Sequence, residues 1–508
     1  MIMEDRKYDK KCLGASSGRG MLARFDGEKI TLEEVHRFPH NFSMLNGHAY
    51  WNLLHLMDEM KNGLRKSGKD LSGVGFDTWG VDCGFLSREG DLLAMPGSYR
   101  DPGLDDANMR EALIALHPNG QTGESTIGAL EAAVLDGEKY AFGQTGIASL
   151  AYNTIYKLYY MKKHMPSILE QTDTILMMPN LIEYLFSGVK HTEYSIASTS
   201  QLYNMEQKCW AKPLLDKLQF DPGWFTEVDL AGRDLGTLRT DVAKETKQQD
   251  LHIISAPGHD TACAVAAVPA EEEQYTFLSS GTWSLMGISS KTMLTGDNII
   301  RDKISNEGTS DGGYRPTVNI IGLWMQQEIR RNFAAEGREY TFPQLAELAA
   351  KEKPLQSFIR PDDFMQPGDY PAKIREYCKQ TGQPIPQTDG ALVRCILESL
   401  ALKYKQTYLS LKPYITWEEK LYIVGGGVQN ELLNQYTANA LGIPVITGAS
   451  EATAVGNVMA QFKALDCYDT AQQKCDILAA SFDTKTYLPQ EQEAWQEAYG
   501  KFEQLMED

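Results

Sequence analysis

The sequence lacks the motifs that mark the common metal centres. Its eight cysteines are scattered, and there is no C-x-x-C pair, no H-E-x-x-H string and no cluster of cysteine with histidine. A zinc site is therefore not expected. Cys378 and Cys395 flank a short proline-containing segment, and the sequence leaves open whether they pair. In a reducing compartment, most of the cysteines should be small apolar residues of the core.

Basic residues are also scarce. Lysine and arginine together number 49 against 68 aspartates and glutamates, so the net charge is −19, and the chain contains no basic run. This charge argues against a nucleic-acid partner and against an anionic membrane surface. No segment approaches a transmembrane span, and residues 1–7 lack the apolar core of a signal peptide, so we expect a cytoplasmic protein with no membrane partner.

The length of the chain predicts two domains. Its 508 residues exceed what one hydrophobic core usually supports. We place the domains at residues 1–268 and 269–508. The segment between them, residues 268–274, is polar, contains Pro269 and separates two apolar strands, as a linker should. An ordinary surface loop is the alternative.

One carboxylate lies among small residues in the string Pro257-Gly258-His259-Asp260-Thr261. Residues 277–287 then read as a strand, a turn of serine and glycine, and a second strand. A carboxylate can orient and deprotonate a hydroxyl group, and a turn of backbone N–H groups and hydroxyls can hold phosphate oxygens, so the two segments together indicate phosphoryl transfer. Each alone is weak evidence, because an aspartate in such a string is often a helix cap or a turn residue.

The serine and glycine turn occurs twice. Residues 13–25 repeat the order of residue types found around Ser280, and Asp26-Gly27 then leads into another strand, which is a strong hairpin signal. Two such units half a chain apart suggest a duplicated α/β architecture with a nucleotide between the halves. Chance recurrence of a short turn is the alternative.

Polar residues also follow a predicted buried strand at residues 74–77. Because ligands gather at the carboxyl ends of strands in α/β sheets, Asp77, Trp79, Gly80 and Asp82 are candidates for a polar pocket. Core packing explains Trp79 equally well.

A triple glycine follows a second predicted strand, residues 421–424. The turn Gly425-Gly426-Gly427 would let a base or a phosphate approach the backbone closely. It matches neither the Walker A pattern nor the G-x-G-x-x-G fingerprint. The alternative is a tight turn that packs a helix on a strand.

Taken together, these segments resemble the FGGY family of carbohydrate kinases, and within it the kinases of L-rhamnulose. The resemblance runs from about residue 13 to about residue 483. Its most specific strings are Asp77-Thr78-Trp79-Gly80-Val81-Asp82 and Ser280-Gly281-Thr282-Trp283-Ser284, which separate that subgroup from the kinases of xylulose, glycerol and ribulose. Other strings are Gly14–Arg19, Tyr99–Asp101, Asn306–Gly308, Asn319–Trp324, Gln429-Asn430, Glu451–Thr453 and Gly456-Asn457.

The resemblance implies two ribonuclease H-like domains of the actin and hexokinase type, with a ligand cleft between them. The implied reaction transfers the γ-phosphate of ATP, with Mg²⁺, to a ketose. Asp260 would be the general base, and the residues around the sugar would be Gly80, Asp82, His259, Asp260, Thr261 and Asn319. The nucleotide and its phosphates would be held by Ala15, Ser16, Ser17, Gly18 and Arg19 and by Gly281, Thr282, Gln327, Gly425, Gly426 and Gly427. The sequence does not decide between a monomer and a homodimer.

One departure from the family concerns the metal. The family's first strand is apolar and ends in an aspartate that helps to organise magnesium, whereas here the strand is charged and Cys12 occupies the aspartate's position. Lysines in a buried central strand are costly, and a thiolate is a poor ligand for a hard cation. The protein ligand of the metal is therefore unknown. Asn180, where an aspartate is usual, is a smaller departure that we expect to lie away from the chemistry.

Two kinds of alternative remain at this stage. The acceptor could be a related ketose such as L-fuculose or xylulose, because a few pocket residues decide this. The chain could instead be a weakened or non-catalytic sensor of sugar and nucleotide, for which Cys12 and the charged first strand are the support. Retention of Asp260 and of both turns favours the enzyme.

Overall fold

Strands and helices alternate along most of the chain, as the α/β prediction requires. A computed structural model describes residues 6–13, by their backbone only, together with residues 17–117 and 126–507. Its strands are β1 Arg6–Leu13, β2 Ser17–Phe25, β3 Ile30–Pro39, β4 Phe42–Leu45, β5 His48–Trp51, β6 Leu71–Thr78, β7 Cys83–Leu86, β8 Thr174–Met177, β9 Thr192–Glu193, β10 Tyr203–Asn204, β11 Cys209–Trp210, β12 Val228–Asp229, β13 Asp234–Thr237, β14 His252–Ile254, β15 Thr276–Ser280, β16 Trp283–Ile288, β17 Ser305–Gly308, β18 Tyr314–Ile321, β19 Leu421–Val424, β20 Val445–Thr447 and β21 Lys485–Tyr487.

The helices fill most of the sequence between these strands. They are α1 Leu53–Lys66, α2 Asp106–Leu116, α3 Ile127–Thr145, α4 Thr154–His164, α5 Pro166–Gln171, α6 Met178–Ser187, α7 Tyr194–Ala197, α8 Lys212–Leu218, α9 Thr240–Thr246, α10 Asp260–Ala266, α11 Asp297–Arg301, α12 Trp324–Ala335, α13 Phe342–Ala350, α14 Tyr370–Gln380, α15 Asp389–Leu411, α16 Glu431–Leu441, α17 Ala452–Ala464, α18 Ala471–Ser481 and α19 Gln492–Glu507. Among the described helices, none has the length and apolarity that a membrane span requires.

The chain forms two compact units. Unit 1 comprises residues 1–267, 290–316 and 453–481, and unit 2 comprises residues 268–289, 317–452 and 482–508. The first passage from unit 1 to unit 2 thus lies one residue from the predicted boundary. The predicted halves, however, assign two segments of unit 1 to the second domain.

Contacts within unit 1 explain why residues 453–481 belong to it. Phe462 of α17 packs on Phe25 of β2, with 4.7 Å between the ring centroids. Gly456, also in α17, lies so close to α10 that a Cβ atom there would be 1.8 Å from the carbonyl oxygen of Cys263. Only glycine fits at this crossing.

The two units contain sheets of the same topology. In unit 1 the strand order is β13-β14-β6-β1-β2-β3. Strands β1, β2 and β3 are antiparallel neighbours, and β6 and β14 continue the sheet in parallel with β1. The second sheet has the order β17-β18-β16-β15-β19-β20-β21, and its six strands from β18 to β21 repeat this arrangement, with β15, β16 and β18 antiparallel and β19 and β20 parallel to β15. The prediction of a duplicated architecture is therefore confirmed.

The predicted hairpin at the start of the chain is present. Its turn is closed by Asp26, whose side chain accepts hydrogen bonds from the backbone N–H groups of Glu28 and Lys29, both at 2.9 Å. Gly27 adopts a φ of 104°, which glycine tolerates best. At the other end of the hairpin, a Cβ at Gly18 would overlap the ring of Phe38, so β2 and β3 can lie close together there.

The two cysteines whose pairing the sequence left open lie on α14 and α15. Cys378 and Cys395 are free thiols in the structure, both are buried, and they interact with each other. Five further cysteines among the described side chains are also free.

Candidate active site

Asp260 is the first residue of helix α10 and remains accessible. Its side chain is 32% exposed, and its Oδ1 lies 3.3 Å from His259 Nε2 and 3.3 Å from Thr261 Oγ1. Asp260 thus lies in the first turn of a helix, as the structural interpretation expects. Its carboxylate is also accessible, as the functional interpretation requires.

The turn before Asp260 is held by a buried glutamate that the sequence analysis did not single out. Glu193 is fully buried, and its carboxylate accepts hydrogen bonds from the N–H of Gly258 at 2.8 Å and from Ser195 Oγ at 2.6 Å. Burial raises the pKa of Glu193, although these hydrogen bonds oppose the shift. Gly258 also approaches α6 closely, since a Cβ there would lie 2.9 Å from Pro179. The position of the proposed base is thus set by packing and by Glu193.

Asn180 belongs to the same network. Its Oδ1 accepts a hydrogen bond from the N–H of Glu193 at 3.3 Å, and its Nδ2 donates to Glu183 Oε2 at 2.9 Å. His191 Nε2 lies 2.8 Å from the same oxygen of Glu183. An amide can donate to Glu183 while it accepts from Glu193, whereas an aspartate here would face a second carboxylate. Asn180 is therefore linked through Glu193 to the turn that carries Asp260, closer to the site than we expected.

Asp82 lies at the centre of a second buried cluster. Its Oδ2 accepts hydrogen bonds from the indole N–H groups of Trp51 at 2.6 Å and Trp79 at 2.7 Å and from the N–H of Tyr99 at 3.2 Å. Lys157 forms an ion pair with its Oδ1. Asp82 is fully buried. The hydrogen-bonding capacity of this carboxylate is thus used by protein donors. Asp82 therefore holds in place the side chains of Trp51 and Trp79, which line the predicted sugar pocket.

The backbone between Trp79 and Asp82 is strained. Val81 has a φ of 68°, which is rare for a β-branched residue. Two hydrogen bonds hold it there: its N–H donates to Thr199 Oγ1 at 3.0 Å, and its carbonyl oxygen accepts from Thr154 Oγ1 at 2.7 Å. At Gly80, a Cβ would lie 3.2 Å from Thr199. Such strain is often stored at functional sites, and here it fixes the segment Gly80 to Asp82.

The position of the missing aspartate lies beside another carboxylate. In the sheet, Cys12 of β1 is the register partner of Asp77 of the parallel strand β6. Asp77 is buried, and its Oδ2 accepts a hydrogen bond from Asn457 Nδ2 at 2.8 Å. Among the described residues, no group of three or more metal-ligating side chains is present. Mg²⁺ commonly takes one or two carboxylates together with substrate phosphates, so Asp77 fits such a role chemically and Cys12 does not.

The other predicted phosphate-binding residues of unit 1 precede or begin β2 in the sequence. Ala15 and Ser16 lie outside the described residues. Ser17, Gly18 and Arg19 form the first three residues of β2, and Gly18 pairs with Leu13 at the end of β1. Their contact with phosphate stays a prediction.

In unit 2, a tight turn joins β15 and β16. The N–H of Gly281 donates to the carbonyl oxygen of Trp283 at 2.9 Å, and Thr282 is exposed at its tip. Gln327 of α12 donates through Nε2 to Thr282 Oγ1 at 3.2 Å. The structure thus brings together Gly281, Thr282 and Gln327, three of the residues predicted to hold the nucleotide. Asn319, predicted to bind sugar, lies on β18 of the same unit as the register partner of Leu285.

The three glycines after β19 differ in their surroundings. Gly425 has a φ of 90°, and a Cβ there would lie 2.9 Å from the carbonyl oxygen of Ser280. A Cβ at Gly427 would lie 2.0 Å from Ser280 Oγ, whereas nothing lies within 4 Å of a Cβ at Gly426. Packing on Ser280 therefore requires Gly425 and Gly427, and Gly426 faces open space.

These features define a two-domain kinase of the ribonuclease H-like type. Solved structures with the same fold are known. Over 99% of this chain and 98% of the other, the fold is similar to a xylulose kinase from Rhodospirillum rubrum, with a TM-score of 0.78 and 17% identity. It is similar over the same shares to a Plasmodium falciparum glycerol kinase with ADP, with a TM-score of 0.76 and 12% identity. At such identities the likeness concerns the fold alone.

Sequence comparisons give the family. Residues 123–267 match the N-terminal domain of the FGGY family of carbohydrate kinases, and residues 276–465 match its C-terminal domain. A rhamnulokinase from Bacteroides thetaiotaomicron is 38% identical over 498 residues, which cover 96% of this chain and 97% of the relative. A rhamnulokinase from Mannheimia succiniciproducens is 36% identical, with 94% and 93% covered. The chain belongs to the FGGY family of carbohydrate kinases, which confirms the resemblance, the fold class and the prediction of a sugar kinase.

Proposed function

We propose that this protein transfers the γ-phosphate of ATP to the 1-hydroxyl of L-rhamnulose, giving L-rhamnulose 1-phosphate and ADP, in the cytoplasmic breakdown of rhamnose. The similarity to rhamnulokinases over nearly the whole chain supports this acceptor. The observation that carries the chemistry is the accessible Asp260 carboxylate at the start of α10, beside His259 and Thr261.

Asp260 acts as the general base. One carboxylate oxygen accepts the proton of the 1-hydroxyl, the hydroxyl oxygen forms a bond to the γ-phosphorus, and the bond from that phosphorus to the bridging oxygen of ADP breaks. Asp82, with Trp51 and Trp79, shapes the wall of the pocket. Gly80, His259, Thr261 and Asn319 contact the sugar.

The nucleotide contacts of this proposal are backbone-rich. The turn of Gly281 and Thr282 holds ATP together with Gln327 and Gly426. Residues 15–19 meet the transferred phosphate. Magnesium on the nucleotide would neutralise charge that develops between its phosphates. On the protein side, Asp77 is the carboxylate best suited to it, because Cys12 replaces the family aspartate.

The test is a coupled assay of ADP release with magnesium and a panel of L-rhamnulose, L-fuculose and xylulose. L-Rhamnulose should give the highest kcat/KM. A higher value for another ketose would overturn the choice of acceptor and leave the family assignment standing. Release of ADP with none of the ketoses, by a protein that still binds nucleotide, would favour the sensor.

A further inference from the structure

His259, the neighbour of the proposed base, is surrounded by charged groups of unit 1. Its Nδ1 lies 2.6 Å from Arg315 Nη2 and 3.3 Å from Glu307 Oε2, and its Nε2 lies 3.3 Å from Asp260 Oδ1. The imidazole is 11% exposed, the Glu307 side chain 10%, and the Arg315 side chain is fully buried. The string Asn306–Gly308 was noted in the sequence without a role, and Glu307 lies in it.

Arg315 is firmly held. Its Nε donates to the carbonyl oxygen of Gly308 at 2.8 Å, and its Nη2 forms an ion pair with Glu307. Burial alone would raise the pKa of Glu307, but the charge of Arg315 lowers it below its ordinary value. Glu307 is thus ionised at neutral pH and neutralises the buried guanidinium.

The contact between Arg315 and His259 determines where the imidazole proton lies. A guanidinium only donates hydrogen bonds, so a ring nitrogen 2.6 Å from it must accept. A proton on Nδ1 would point at Arg315. Glu307 Oε2 is farther from Nδ1 and is already bound by Arg315, so it competes weakly for that proton. The neutral ring then carries its hydrogen on Nε2, which faces Asp260.

We propose that Arg315, held by Glu307, fixes His259 as the neutral tautomer protonated at Nε2, so that this N–H faces Asp260 Oδ1 at 3.3 Å. Thr261 Oγ1 donates to the same oxygen, and among the described residues no hydrogen bond reaches Oδ2. Oδ2 is therefore the oxygen left to accept the proton of the sugar. Arg315 and Glu307 are positioning residues that act through His259. The inference rests on the proposed role of Asp260 as the base.

The test begins with the unaltered protein. Its nine histidines are labelled with nitrogen-15 in the ring, and long-range proton–nitrogen correlation spectra are recorded; His259→Gln assigns the signals of His259 by their loss. We expect Nδ1 of His259 to resonate as an unprotonated nitrogen and Nε2 as a protonated one. The reverse pattern, or a doubly protonated ring at neutral pH, would overturn the proposal.

Two variants of the arginine complete the test. Arg315→Met should allow His259 to exchange between tautomers and should lower kcat by about tenfold to a hundredfold, less than loss of the base itself, with KM for ATP unchanged. Arg315→Lys, which can still donate, should restore the tautomer and part of kcat. In a His259→Gln background, Arg315→Met should cost little more, because Gln has no tautomers. An undiminished loss in that background would show that Arg315 acts otherwise.

The spectra separate this inference from the proposed function. The predicted tautomer in a protein that phosphorylates no ketose would count against the function, and a different tautomer in an active kinase would count against the inference.

Discussion

Asp260 and Asp82 were both predicted to contact the sugar, but they already hold different numbers of protein donors. Asp260 has two contacts at 3.3 Å and a side chain that is 32% exposed. Asp82 is fully buried and holds four donors, one of them the charged Lys157. Of these two carboxylates, Asp260 is the one with fewer protein donors and an accessible side chain.

We therefore predict that one of the two matched substitutions affects mainly kcat and the other mainly stability. Asp260→Asn should lower kcat by about 10² to 10⁴, the usual worth of a positioned general base, with little change in stability or in nucleotide affinity. Asp82→Asn should lower the free energy of unfolding by about 3–5 kcal/mol, because it leaves the Lys157 ammonium buried without its counter-charge. Steady-state kinetics and urea unfolding of both variants check this.

The pair is decisive because each variant controls for the other. An unchanged kcat in Asp260→Asn would remove that residue from the mechanism. If Asp82→Asn were fully stable and failed only to bind sugar, Asp82 would be a direct ligand after all.

The sequence could identify the string from Asp77 to Asp82 but not what Asp82 binds. Its ion-pair partner Lys157 lies 75 residues away, in a helix that shows only an apolar stripe in the sequence. Glu193 was missed for the same reason, since its partner Gly258 is 65 residues distant. Pairings of this kind are set by the tertiary fold and leave no local pattern.

At the scale of elements, the glycine turn after β19 offers two adjacent tests. Gly427→Ala should lower the free energy of unfolding by about 1–3 kcal/mol or more, because its Cβ would overlap Ser280. Gly426→Ala, whose Cβ would meet open space, should leave stability within about 0.5 kcal/mol and should raise KM for ATP. Thermal unfolding and kinetics of both variants would distinguish packing from ligand approach. An unchanged KM in Gly426→Ala would argue against close contact of the nucleotide there.

Strand β1 is central in its sheet despite its charged sequence. It lies between β2 and β6, with Cys12 beside Asp77. We predict that Cys12→Asp raises kcat by about tenfold or more and changes KM for the sugar less, because a second carboxylate would help to hold the metal where charge develops. The gain should require magnesium, since two neighbouring carboxylates repel each other without it.

Cys12→Ser is the matched control, because it replaces the thiol without adding charge. Lys10 and Lys11 are best replaced by apolar residues in a parallel variant, so that the strand itself is not limiting. Should the unaltered protein turn over as fast as this repaired version, the aspartate would be dispensable and the metal interpretation would fail.

Elements that are bounded by clear turn residues in the sequence were predicted well. The hairpin at Asp26-Gly27 and the strand β19 are examples. Strands β9 to β12, of two residues each, were not predicted. Two residues are too few for an alternating pattern, so such strands are defined by their partners.

At the scale of the whole molecule, the net charge of −19 opposes the approach of ATP. Because added salt shortens the range of that repulsion, we predict that KM for ATP falls by about two- to fivefold between roughly 10 and 150 mM monovalent salt. KM for the uncharged ketose, measured in the same reactions, should stay constant. A KM for ATP that rises with salt would mean that local positive groups dominate its capture.

The length of the chain predicted two units, but it did not predict which segments of the chain belong to each unit. Segments 290–316 and 453–481 return to unit 1, and they do so through contacts such as that between Gly456 and Cys263, nearly two hundred residues apart in the sequence. The composition of the sequence indicates a linker near Pro269, but it does not indicate where the chain passes back into unit 1.

This path has a consequence for how the protein is made. Since unit 1 includes residues 453–481, a ribosome that has released only the first 268 residues has not yet released helix α17, against which β2 and α10 pack. The nascent N-terminal region therefore stays incomplete until α17 has been made, whereas many multidomain chains finish their first domain early. The interval exposes the apolar faces of β2 and α10 that α17 will cover.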